Sequence, residues 1–435
     1  MSLYSGLFYS SEVEPMVSAE AMLGRMLAFE GALAQAQAGC GLVPEPMAQI
    51  IADCCAHPLL DLSKLQAEVA LGGNAAIPLV KQLTAQVRGQ SEEAARYVHL
   101  GATSQDVVDT ATILTIKAFS DWLNNRLAAV EEQLTRLTRT YRTTVMPGRT
   151  LLQQAKPITF GLKTAGWLDA LRRSRQRLAE GQKRVLVLQL AGAVGSRNAS
   201  IPAGVHRAMA TRLGLSESVS WHTQRDNLAE FGATLGILTG SFGKIARDIA
   251  LLMQTEVAEV FEGKAEGKGG SSTMPHKRNP VTCTAILANA NRVPQLVATL
   301  LAAMPQEHER SAGLWHSEWD VLTEIMQLTA GVVDKGLDLL TNLEVDPDRM
   351  RYNLEQTNGL IYAETVSLAL AAHLGKAEAH ARVEEASRVA VAEKRHLKAV
   401  LEGMNLPLTN LDALFDPMNS LGEALALIDS VLARS

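Results

Sequence analysis

Residues 109–142 read DTATILTIKAFSDWLNNRLAAVEEQLTRLTRTYR, 34 positions without a glycine or a proline. Within them Ile113, Ile116, Phe119, Leu123, Leu127, Val130, Leu134 and Leu137 recur at spacings of three and four, the period of one helix face. At 1.5 Å per residue the segment makes a helix of roughly 50 Å. Four more stretches of this kind run from Pro157 to Leu188, Asp226 to Glu262, Pro280 to Met304 and Leu314 to Asn342, each bounded by Gly, Pro or a polar cluster. Helices this long predict an all-α chain built around an extended bundle. Val185-Leu186-Val187-Leu188 could pass for a strand alone, but its place at the end of a helical run reads as helix.

On either side of this middle the elements shorten. Ser18 is a helix N-cap, followed by Met22, Met26, Phe29, Leu33 and Ala36 at helical spacing until Gly39 and Gly41 end the element. Short elements continue to about residue 110, and short helices return after Asp346-Pro347-Asp348. Three domains are therefore expected, over 1–110, 111–345 and 346–435.

Lys and Arg number 41 against 46 Asp and Glu, a net charge of −5 with no basic run, which excludes nucleic acid and anionic membranes as expected partners. Hydrophobic residues reach 47% while aromatics stay at 4%, a balance suited to packed helices. The longest uncharged apolar stretches are too short for a membrane span. Cys40, Cys54, Cys55 and Cys283 contain no C-x-x-C pair and read as reduced thiols. Glu12, Glu14 and Glu20 precede the first cation, Arg25, the reverse of an export signal, so a soluble cytoplasmic protein is expected.

The chemistry concentrates in Ala265 to Pro280. The glycines there do not meet the spacing of a P-loop. Pro280 suits the first position of the following helix, whose free N–H groups, with Lys277 beside them, would attract an anion. A serine in such a place can carry a proton as acid or base; the plainer alternative is a solvated loop with a helix cap. His308-Glu309-Arg310 and His316-Ser317-Glu318 lack a metal-ligand spacing, so no metal is expected. Thr103-Ser104 with Asp106 can be an N-cap or a binding segment, and His99 before it can be structural or functional. Gln153-Gln154, Gln224-Arg225-Asp226 and Trp315 to Trp319 are polar clusters interrupting apolar patterns.

Taken in order, these segments resemble the fumarase/aspartase superfamily over nearly the whole chain. Gly270 to Pro280 matches its G-S-S-x-M-P-x-K-x-N-P signature, His99 to Thr110 looks like its first substrate segment, and Gly148-Arg149-Thr150 through Gly161 looks like its second. The resemblance implies a homotetramer with active sites shared between subunits. It implies Ser271 as the catalytic serine, Lys277 and Asn279 as holders of a substrate carboxylate, and Thr103, Ser104 and Gln154 as substrate-binding. No cofactor is implied.

The departures narrow the reading. Leu151 stands where relatives carry a histidine, Thr284 where its acidic partner is expected, and Gly72-Gly73-Asn74 where adenylosuccinate lyases have a His-His-Asp turn. With Gly73 to Val80 and Glu307 to His316, this pattern resembles the lactonising cycloisomerases of the superfamily. It implies a small tricarboxylate substrate, with His308 and Arg310 as further contacts. The alternatives are a lyase like adenylosuccinate lyase, or a non-catalytic protein on the same scaffold.

Overall fold

The computed structural model describes residues 3–264, 269–270, 274 and 277–434. The five long helices are present as Ser104–Thr140, Phe160–Val185, Asp226–Leu252, Val281–Ala302 and Trp319–Thr341. Every residue of the stripe from Ile113 to Leu137 is at most 1% exposed, so the period read from the sequence is the buried face. Asp106 caps the first helix from inside, its carboxylate accepting the Thr103 N–H at 3.1 Å.

Contacts group the described residues into two units, and the boundary falls within each of the five long helices. The first comprises Met1–Arg126, Ser174–Gly240 and Ala288–Asp334. In it the helix Ala19–Gly39, N-capped by Ser18, packs on Glu45–Ala56 and Ala203–Leu213. The second comprises Leu127–Arg173, Ser241–Leu287 and Lys335–Ser435. There Val366, Leu370, Ala379, Val383, Ala386 and Leu397 form a core where helices Ala363–Leu374 and Lys376–Glu393 meet across Gly375.

Three boundaries differ from the sequence reading. Pro157 belongs to an antiparallel hairpin, Val145–Thr150 with Gln153–Thr159, and the helix begins only at Phe160. The helix from Asp226 stops at Leu252, because Val260–Phe261 pairs with Glu344–Val345. Val187 forms an isolated parallel bridge with Ser216 beyond the end of its helix. Each involves pairing with another segment, ten residues away for Pro157 and further for the others, which helical periodicity does not register. No described helix is long and apolar enough to cross a membrane.

Candidate active site

Two groups of functional side chains are built, one in each unit. In the first, the turn before Ser104 is fixed by Asp106, whose carboxylate also accepts the Ala191 and Gly192 N–H groups at 3.0 and 2.9 Å and lies 2.9 Å from His222 Nε2. Arg310 joins this turn, its guanidinium donating to Thr103 Oγ1 at 2.9 Å, Gln105 Oε1 at 3.2 Å and the Ala193 carbonyl at 3.1 Å. Arg310 is therefore bonded to Thr103, the neighbour of Ser104 in the chain. His308 is exposed with φ 47°, and its carbonyl accepts the Thr223 hydroxyl at 2.9 Å. The same loop is braced by Glu307, whose carboxylate accepts Ser311 Oγ at 2.6 Å; that bond and backbone donors hold its pKa below the ordinary value.

Beneath this surface lies a charge cluster that sequence reading registered only as interrupted apolar patterns. Arg225, 2% exposed, forms a bidentate pair with Asp109 at 2.7 and 3.0 Å and meets Glu318 at 2.5 Å. Trp315 Nε1 donates to Asp109 at 2.9 Å and Gln306 to Glu318 at 3.0 Å. Two buried carboxylates share one guanidinium. Burial pushes the Glu318 pKa up; Arg225 opposes the rise and Asp109 adds to it.

The second unit carries the signature arm. Ser271 lies outside the described residues. Lys277 is exposed, and among the described residues its ammonium has no ion-pair partner. On one side Arg278 anchors the arm, pairing with Glu344 at 2.9 Å, donating to the Glu262 carbonyl at 2.5 Å and lying over the Phe261 ring. On the other, Asn279 N–H donates to the Gly269 carbonyl at 2.9 Å. Gly269 has φ +69°, and a Cβ there would come within 2.7 Å of the Asn279 carbonyl, so the turn admits only glycine without strain.

The helix after Pro280 corrects one expectation. Its N–H groups do not face an open anion pocket: Glu262 accepts Thr282 and Cys283 N–H at 3.1 and 2.8 Å, while Val281 and Thr284 N–H bond to Asn279 and Pro280 carbonyls. An internal carboxylate occupies the positive helix end.

Gln154 lies on the hairpin, its Oε1 buried and without a partner among the described residues. Arg149 ties this hairpin down through a pair with the buried Glu259 at 2.6 and 2.9 Å. At its tip Leu151 and Leu152 both have positive φ, 50° and 67°, and are 97% and 76% exposed. Thr284 is exposed and bonds its own helix at the Pro280 carbonyl. The positions of the missing histidine and its partner thus hold no acid or base.

A model of the family described as "Lyase" matches residues 10–294, and one described as "Adenylosuccinate lyase C-terminus" matches 359–431. The chain is 47% identical to 3-carboxy-cis,cis-muconate cycloisomerase of Acinetobacter baylyi, over 100% of this chain and 98% of that protein. It is 47% identical to the enzyme of that name from Pseudomonas aeruginosa, over 99% and 96%. The crystal structure of the 3-carboxy-cis,cis-muconate lactonizing enzyme from Pseudomonas putida superposes with a TM-score of 0.94 at 45% identity, covering 99% of this chain and 98% of that one.

Proposed function

This chain belongs to the lyase family, and from that premise we propose that it is a lactonising cycloisomerase converting 3-carboxy-cis,cis-muconate to 4-carboxymuconolactone. The observation that carries this reading is identity of 47% along essentially the full chain with enzymes named for that reaction. A carboxylate oxygen of the substrate adds to a carbon of its own double bond, and a proton reaches the neighbouring carbon, which stands next to another carboxylate. Charge accumulates on that second carboxylate as an aci-carboxylate dianion, where a cation such as Lys277 lowers the barrier. Ser271 is the proposed proton donor, and the base in reverse. Thr103, Ser104, Gln154, Asn279, His308 and Arg310 are the proposed substrate contacts. The nucleophile belongs to the substrate, so the reaction written this way calls for no cofactor.

The absence of an acid at Leu151 and Thr284 supports this reading over that of a lyase. In reverse the departing group is a carboxylate, whose conjugate acid has a pKa of about 4, so it leaves unprotonated at neutral pH. The C-terminal match to adenylosuccinate lyase favours the rival. Purified protein is expected to consume 3-carboxymuconate, followed by its ultraviolet absorbance, and to leave adenylosuccinate unchanged; the opposite result would sink the proposal.

A homotetramer with shared sites is part of the same proposal. Two leucines in left-handed conformations at an exposed tip are costly unless something covers them, and a neighbouring subunit is the proposed cover. The domain division at residues 110 and 345 is proposed on the change in helix length there. A cytoplasmic location is proposed because all four cysteines are free thiols.

A further inference from the structure

The helix Ala19–Gly39 buries two polar side chains amid apolar ones, Glu30 at 1% exposure and Gln37 at 0%. They are two turns apart, hence on one face, and both reach the segment leading to Ser104. Gln37 Nε2 donates to the Leu100 and Ser200 carbonyls, each at 2.8 Å. Glu30 Oε1 lies 2.7 Å from His99 Nδ1. The segment itself takes an unusual path: His99 has φ 57°, and at Gly101, φ +80°, a Cβ would come within 2.8 Å of Ser200. Asn198 holds the Gly101 carbonyl at 2.9 Å. A histidine in this conformation persists only where its surroundings over-determine it.

Electrostatics fixes the form of the pair. Among the described residues Glu30 Oε2 is buried without a partner, and His99 is the side chain that meets the carboxyl group. At 2.7 Å an imidazolium makes a charge-assisted bond to the carboxyl group, stronger than the bond a neutral ring would make. Burial lowers the His99 pKa, but the Glu30 bond and charge, together with Asp106, raise it above the ordinary 6.5. No other charged group acts appreciably on the ring; Cys55, which faces Glu30 from the next helix, has its thiol pKa pushed up and stays neutral. His99 Nε2 has no partner among the described residues and is not sealed from solvent.

We propose that Glu30 is a positioning residue that holds His99 as an imidazolium, so that its free Nε2–H binds one carboxylate of the substrate beside Thr103 and Arg310. This rests on the reading of the substrate as a tricarboxylate. One lysine and one arginine match two of its three negative charges, and a charged Nε2–H would match the third.

The test combines kinetics with a direct titration. In the wild type, kcat/KM for 3-carboxymuconate is expected to fall as pH rises through the His99 pKa, above 6.5. In Glu30→Gln, burial is opposed only by the Asp106 charge, and that fall moves to lower pH. At pH 7.5 the variant's KM rises about tenfold, the scale of one charge-assisted hydrogen bond, with kcat within about twofold. NMR titration of the histidine ring should show the same displacement without any turnover. Should Glu30→Gln not fold, His99→Gln, altered at the segment and not in the core, is expected to abolish the alkaline limb. A uniform loss of kcat/KM at every pH with the limb unmoved, or a wild-type His99 titrating at or below the ordinary value, overturns the proposal. If the wild type does not turn over 3-carboxymuconate, the functional reading fails, while the ring titration still decides the Glu30–His99 pair.

Discussion

Lys277 and Leu151 separate what a side chain contributes to chemistry from what it contributes to folding. Lys277 is exposed and makes no ion pair among the described residues, so Lys277→Met should leave thermal stability within about 0.5 kcal/mol. Its kcat/KM should nevertheless fall by about 10²-fold or more, because the charge is lost where the dianion develops. Ser271→Ala should abolish turnover on the same terms, measured by steady-state assay beside a circular-dichroism melt. Leu151, at 97% exposure, occupies no apolar niche among the described residues of the subunit. The double variant Leu151→His with Thr284→Glu should therefore fold normally and give no increase in lactonisation rate. A large gain in kcat would mean that the site had lacked an acid, and would favour a decayed lyase.

At the level of elements, the hairpin tip and the helix after Pro280 both depart from what local propensity favours. A two-residue hairpin loop with both φ positive is the place for Asn-Gly, and leucine in a left-handed conformation costs on the order of 1 kcal/mol. Leu151→Asn with Leu152→Gly should raise the unfolding free energy by about 1–2 kcal/mol in denaturant titration, while lowering activity if the leucines are held for a site. The helix Val281–Ala302 depends on Glu262 for two of its N-terminal donors. Glu262→Ala leaves them buried and unpaired, and should cost about 1–3 kcal/mol.

At the scale of the whole molecule, the cluster around Arg225 bears on stability and the proposed assembly on the site. Arg225→Met strands two buried carboxylates and should cost about 3–5 kcal/mol, seen as a large fall in Tm. Glu318→Gln removes the poorly compensated charge, leaves the Asp109 pair and should stay within about 1 kcal/mol at neutral pH. The sign follows from its raised pKa: the folded state binds the proton more tightly, so this group's contribution declines as pH rises from the ordinary 4.5 through the folded value. The Gln variant should lose that slope in stability measured against pH. Light scattering at micromolar concentration should find a tetramer; a stable monomer would remove the basis for shared sites.

The stripe from Ile113 to Leu137, the five long helices and the Thr103–Asp106 cap were legible in the sequence, because each depends on residues within a few turns of one another. So was the placement of Lys277 just before a helix. The spent helix end at Glu262, the strand pairings of Pro157 and Phe261, the guanidinium shared by Asp109 and Glu318, and the Glu30–His99 pair were not. Each joins positions from ten to more than two hundred residues apart. A side chain's chemistry can be read from its identity, but its charge state and its freedom to bind depend on partners that only the folded chain brings within hydrogen-bonding distance.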